Sequence, residues 1–95
     1  MHVITQKRIW DAKVLYPTVS NALDGWYRII KSNDFLSFNH IKKVFPSVDK
    51  VGKYHVFDIG GNKLRLIAVI DYKFKKLFIR EILAHSEYDK NKWNK

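Results

Sequence analysis

The chain has 95 residues, 46% of them hydrophobic and 15% aromatic, and no cysteine. That size predicts one domain, residues 1–95, with a single modest core, and the composition excludes a disordered chain, a disulfide scaffold and a thiolate zinc site. Eighteen Lys and Arg against nine Asp and Glu give a net charge of +9, which directs attention to polyanionic partners.

In chain order, Met1 to Lys7 lacks the apolar stretch of a signal peptide, and no later run reaches the roughly 18–20 apolar residues that span a bilayer. A soluble, cytoplasmic protein without a membrane role is expected. His2-Val3-Ile4 is a short strand candidate. Thr5 is placed to cap a helix whose apolar stripe is Ile9, Trp10, Val14 and Ala12, ending before Tyr16-Pro17. Thr18 is placed to cap a second helix running to about Lys31, with Val19, Leu23, Trp26, Ile29 and Ile30 on one face. Ser32-Asn33-Asp34 stops it. About one helical turn follows at His40 to Phe45, closed by Pro46, and Ser47 to Lys53 is a loop.

From Tyr54 the apolar period shortens to two. Tyr54–Ile59, Lys63–Ile70 and Lys76–Leu83 read as three antiparallel strands, with Gly60-Gly61 as a two-residue turn between the first two and Asp71 to Phe74 or Lys75 between the next. A short polar helix or extension runs from Ala84 to about Lys92. Trp93 lies beyond it, either flexible or packed on a partner. Helices followed by an antiparallel sheet define an α+β fold: N-terminal helices packed on a mainly antiparallel sheet, with a short C-terminal helix or extension.

A two-residue turn pairs Asp58 with Lys63 and Val56 with Arg65. Alternation then puts Asp58, Lys63 and Arg65 on one face with Tyr54, Val56, Ile67 and Val69, while Leu64, Leu66, Ala68 and Ile70 meet the helices. In the third strand Leu77, Ile79, Glu81 and Leu83 form the better core face. Arg80 therefore joins Lys63 and Arg65, and three cations share a half-exposed sheet face with one acid. Like charges side by side destabilise a sheet, and a phosphodiester would relieve them, because arginine grips its oxygens with two prongs.

The next segment supplies groups that move protons: His85, Glu87, Tyr88 and Asp89. Histidine serves as acid or base near neutrality. A tyrosine among cations is expected to have its pKa lowered. RNA cleavage needs a base for the 2′-hydroxyl, cations for the pentavalent phosphate and an acid for the 5′-oxygen. Arg65, Arg80, His85 and Tyr88 form the candidate catalytic set, with acid and base undivided between Tyr88 and His85. Lys42, Lys43, Lys53, His55 and Lys63 are candidate RNA-binding groups. The four histidines lack metal-ligand spacing and the carboxylates are scattered, so no metal or cofactor is expected. No phosphate-loop motif occurs, and Trp10, Trp26 and Tyr27 read as core.

Val56 to Ile67 (VFDIGGNKLRLI), Phe78-Ile79-Arg80 and His85-Ser86-Glu87-Tyr88-Asp89-Lys90 together resemble the HigB toxin family, whose pattern runs approximately VFNIGGNxxRL, IR and THxEYD. Met1 to Lys7 and Ile41 to Ser47 are similar to it as well. The resemblance implies a RelE-like fold and an mRNA endonuclease acting on translating ribosomes. It also implies a neighbouring antitoxin, usually of helix-turn-helix type. The family's basic residues match Arg65 and Arg80, and its terminal His and Tyr match His85 and Tyr88. Asp58 stands where asparagine is usual, and Ala84 where threonine is usual.

Two other readings use the same charges. A module that grips RNA or the ribosome without cutting needs no role for His85 or Tyr88. A protein that only docks an acidic partner would show no RNA affinity, whereas a true RNA site loses affinity steeply with salt.

Overall fold

The change of apolar period near Tyr54 divides the chain into a mainly helical half and a sheet half, and the computed structural model follows that division. It describes residues 1–61, 63–90 and 93. The elements are β1 (His2–Ile4), α1 (Lys7–Leu15), α2 (Ser20–Lys31), α3 (Phe38–Val44), β2 (Asp49–Val51), β3 (Tyr54–Ile59), β4 (Leu64–Asp71), β5 (Lys76–Ala84) and α4 (His85–Asp89). The five strands lie in the order β1-β5-β4-β3-β2, with β1 parallel to β5 and the other pairs antiparallel. This is the α+β arrangement expected. No described helix is long and apolar enough to cross a membrane.

The helices cover one face of the sheet. Leu23, Trp26 and Ile30 of α2 and Ile41 of α3 are buried in one cluster with Phe57, Ile59, Leu64, Leu66, Ala68, Leu77 and Ile79. Trp26 meets Phe57 edge-on at 5.4 Å. Helix α1 departs from the expected stripe: it buries Ile9 and Ala12, while Trp10 is 58% and Val14 84% exposed. Two apolar stripes compete on that helix, and the one spaced to include Tyr16 meets the core. Thr5 does not cap α1. It adopts a left-handed backbone (φ 66°), and its hydroxyl accepts from the Ile79 N–H at 3.1 Å and donates to the Ile79 carbonyl at 3.0 Å. Thr18 falls in a 3₁₀ turn, Pro17–Val19, ahead of α2, which has no side-chain cap. Ser37 caps α3 by accepting from the His40 N–H.

Strand β2 was expected to be loop. It is a three-residue edge strand whose residues Asp49 and Lys50 are exposed, and such charged, short edges carry little apolar periodicity. The β3–β4 hairpin also differs from expectation. Its last pair is Ile59 with Leu64, so Asp58 faces Arg65 and Lys63 belongs to a four-residue loop. Asn62, the expected partner of Ile59, lies outside the described residues. The Lys63 carbonyl accepts the His85 N–H at 3.2 Å, an interaction that draws it away from the hairpin. Because the register moved by two residues, the face assignment of β3 and β4 survives.

Gly60 and Gly61 both have positive φ, but only Gly60 is crowded: a Cβ there would lie 2.6 Å from Val19 Cγ1, whereas none within 4 Å would meet one at Gly61. Gly60→Ala is therefore expected to cost about 2–4 kcal/mol, combining left-handed strain with overpacking, and Gly61→Ala only about 1–2 kcal/mol. Urea denaturation of the two variants checks this; equal costs would contradict it.

In β5 the alternation breaks. The register with β4 shifts between Ile67 and Ala68, where Glu81 pairs with Ile67 and Ile79 with Ala68, leaving Arg80 as the extra residue of a bulge. Beyond the bulge the phase inverts. Ile82 packs against the helical core, and Leu83 joins the opposite face. The expected core face of Leu77, Ile79, Glu81 and Leu83 holds only for its first two members.

Candidate active site

The face of the sheet turned away from the helices carries a second, smaller apolar cluster: Tyr54, Val56, Ile67 and Trp93 are buried, with Val51, Val69, Leu83 and Tyr88 packed against them. Asp58 and Arg65 lie on the same face, as cross-strand partners on β3 and β4. Arg65 Nη1 forms an ion pair with Asp58 Oδ1, and the Arg65 side chain is 14% exposed. Its guanidinium carbon sits 5.5 Å from the centre of the Tyr88 ring. An arginine so placed is held between a carboxylate and an aromatic face.

Helix α4 brings Tyr88 and His85 to this point. Its first N–H, from His85, donates to the Lys63 carbonyl, which places His85 beside the β3–β4 loop. His85 Nε2 lies 3.2 Å from Asp89 Oδ2 one turn along. Its Nδ1 has no hydrogen-bond partner among the described residues. Burial pushes the Tyr88 phenol above its ordinary pKa, with Asp49 adding to the effect, Arg65 opposing it, and Asp89 and Asp58 contributing less. The expectation of a lowered pKa is thereby reversed: the cations expected around Tyr88 reduce here to Arg65, itself paired with Asp58, and partial burial outweighs it. The phenol keeps its proton.

The structure thus sets Arg65 against Tyr88, with His85 on the same helix and tied through its backbone to Lys63. Lys53 joins from the opposite end, its Nζ 5.4 Å from the Tyr54 ring centre. Arg80 is exposed at the bulge, next to Glu81, whose carboxylate lies 3.8 Å from Arg8 Nη1 of α1. Lys42 and Lys43 do not join. They lie on α3, on the helical side of the sheet, where Lys42 Nζ donates to the Val48 carbonyl at 2.9 Å.

His55 must be removed from the RNA-binding set. It is 2% exposed, and its Nε2 lies 2.6 Å from the Tyr72 hydroxyl. It pairs with Ala68 and so faces the helical core, where its ring packs 5.7 Å from Phe38. Burial, aided by the nearby Lys50 charge, brings its pKa down to about 4. Since the unfolded chain protonates near 6.5 and the folded chain does not, stability is full above about pH 6.5 and falls as pH drops toward 4. The loss expected is on the order of 3 kcal/mol. Urea midpoints across this range check it, and His55→Gln should remove most of the slope; an equal slope in that variant would sink the assignment.

Tyr54 lies on this face as alternation predicts, but Trp93 was not anticipated as part of it. Trp93 is 9% exposed and stacks on Tyr88 at 5.1 Å and 17°, rather than being flexible or held by a partner. The only signal in the sequence is an aromatic residue five places after Tyr88 in an otherwise polar tail.

A basic α+β domain presenting arginine, tyrosine and histidine on an open sheet face is built to handle a phosphodiester rather than to enclose a small molecule. The sequence matches, over residues 19–91, the HigB toxin family, described as the RelE-like toxic component of a toxin–antitoxin system. It is 38% identical over 93 residues to the mRNA interferase HigB of Escherichia coli O6:H1 (strain CFT073), covering 95% of this chain and 90% of that protein. It is 39% identical over 92 residues to the mRNA interferase toxin HigB of Escherichia coli K12 and to the mRNA interferase HigB of Shigella flexneri, in each case covering 94% of this chain and 88% of the relative. The chain belongs to the HigB toxin family and has its RelE-like α+β fold. Membership in a toxin–antitoxin family gives it a cognate antitoxin as partner.

Proposed function

We propose that residues 1–95 form one toxin domain that cleaves mRNA on the translating ribosome in the cytoplasm and is held in check by an antitoxin of helix-turn-helix type. The observation that carries the reading is the Arg65 guanidinium set against the Tyr88 ring on the open sheet face, with His85 on the same short helix as Tyr88. Arg65 binds the scissile phosphate and offsets charge developing on it, with Arg80 and Lys63 adding to the local field. His85 removes the proton of the 2′-hydroxyl, whose oxygen bonds to phosphorus as the bond to the 5′-oxygen breaks. Tyr88, which keeps its proton, supplies it to that departing oxygen. Side chains of this chain handle each proton and charge in the scheme, with no metal or cofactor. The open face leaves the ribosome to enclose the message.

The test is to induce the wild type and Tyr88→Ala in a bacterial host and map the 5′ ends of messages. New ends confined to translated regions, absent in the variant, support the proposal. One observation favours a second reading, a module that binds RNA or the ribosome without cutting: Asp58 already offsets much of the Arg65 charge. Growth arrest without new 5′ ends would establish that reading instead.

A further inference from the structure

Helix α4 carries both proton-handling side chains, yet little of the helix itself explains its position. It has five residues, none buried, and its N-cap is Ala84, which offers no side-chain acceptor. A single helical turn has no stability of its own. Its first end is tied by the His85 N–H to the Lys63 carbonyl. Its other end is held by Trp93. The indole Nε1–H donates to the Tyr88 carbonyl at 3.2 Å, adding a side-chain donor to a carbonyl that also receives the Lys90 N–H.

The same indole stacks on the Tyr88 ring and meets Tyr54 edge-on at 5.6 Å and 78°. Tyr54 is anchored in β3 and is 4% exposed, so Trp93 links the mobile-prone turn to the rigid sheet. The Tyr88 ring therefore has two neighbours that define its plane, Trp93 stacked on it and the Arg65 guanidinium near its centre. Buried and stacked in this way, Trp93 is not a platform for a nucleobase.

We propose that Trp93 is a positioning residue: its indole clamps the Tyr88 ring against the sheet and sets the placement of the phenol relative to Arg65. This rests on Tyr88 as the proton-bearing group of the proposed reaction. Displacement of a reacting group by about 1 Å can cost on the order of 10²-fold in rate, so a clamp of this kind has kinetic consequences beyond folding. Trp93 contributes nothing to the larger cluster beneath the helices, so its removal leaves the main core intact.

The test uses the full chain as wild type, Trp93→Ala and Trp93→Phe, with thermal melts as a folding control. Cleavage of a defined message is followed in a reconstituted translation reaction, and the Tyr88 phenol is titrated by NMR of ring-labelled tyrosine. Trp93→Ala is expected to cut cleavage by about 10- to 100-fold and to bring the Tyr88 titration back toward the ordinary tyrosine value, as the ring gains solvent. Trp93→Phe, which keeps a stacking ring, is expected to restore most of both. An unchanged Tyr88 titration in Trp93→Ala would overturn the clamp. A shifted titration with undiminished cleavage would overturn the positioning role if Tyr88→Phe is impaired, and would overturn the catalytic role of Tyr88 instead if Tyr88→Phe also cleaves normally.

Discussion

Replacing Arg65 with alanine is expected to lower message cleavage by about 10²–10³-fold, the loss typical of removing one fixed donor from a developing negative charge. Arg65→Lys should recover little of it. An ammonium cannot span two phosphate oxygens, nor can it offer the Tyr88 ring the planar cation whose carbon lies 5.5 Å from the ring centre. Single-turnover cleavage with saturating ribosomes measures both variants; wild-type rates in either would remove Arg65 from the site.

The ion pair to Asp58 makes a sharper version of this test available. Asp58 pairs with Arg65 across β3 and β4, so its carboxylate competes with phosphate for the same guanidinium. Asp58→Asn removes that competing charge while keeping the side chain's shape. The variant is expected to bind single-stranded RNA more tightly, and the slope of log affinity against log salt should steepen by about 0.7, the amount for one further phosphate neutralised. It should also be modestly less stable, because a largely buried arginine loses a charged partner. Unchanged affinity and salt slope would show that the Asp58 carboxylate does not compete with phosphate for Arg65.

The second large effect is at Tyr88. Tyr88→Phe keeps the ring, its stack on Trp93 and its contact with Arg65, and removes only the hydroxyl. A loss of about 10²–10⁴-fold in cleavage is expected if that hydroxyl transfers the proton. The pH dependence has a definite sign. Burial raises the phenol's pKa, so its acidic form persists to higher pH than an ordinary tyrosine would allow. The part of the rate that depends on Tyr88 should hold through the neutral and mildly alkaline range and fall only above about pH 10. A Tyr88-dependent fall beginning well below that value would mean that the phenol is not the acid.

The divergence between expectation and structure is concentrated where side-chain environment, not pattern, makes the decision. Alternation from Tyr54 to Ile70 is strict, and a strand has only two faces. Asp58 and Arg65 were therefore placed on one face even though their pairing partners were misassigned by two residues. The β5 bulge broke the same reasoning, because one extra residue at Arg80 inverts every assignment after it. No residue type there announces a bulge. On α1, the choice between the Ile9–Ala12 stripe and the Trp10–Val14 stripe depends on how the helix is rolled against α2 and β5.

Charge, hairpin glycines and strand periodicity follow from the order of residues, because each depends on local geometry or on composition. Three features required the tertiary structure. His55 and the surface lysines look alike as basic residues, and alternation alone sets His55 opposite Tyr54 and Val56, but its burial against Phe38 and Tyr72, where desolvation makes it neutral, required the packed structure. Tyr88 was expected to ionise more easily and does the reverse, since partial burial outweighs the Arg65 charge. Trp93 reads as a tail residue, yet it reaches back to Tyr54, 39 positions earlier, to close the open face. Desolvation and long-range contact are properties of the packed molecule, and no local pattern encodes them.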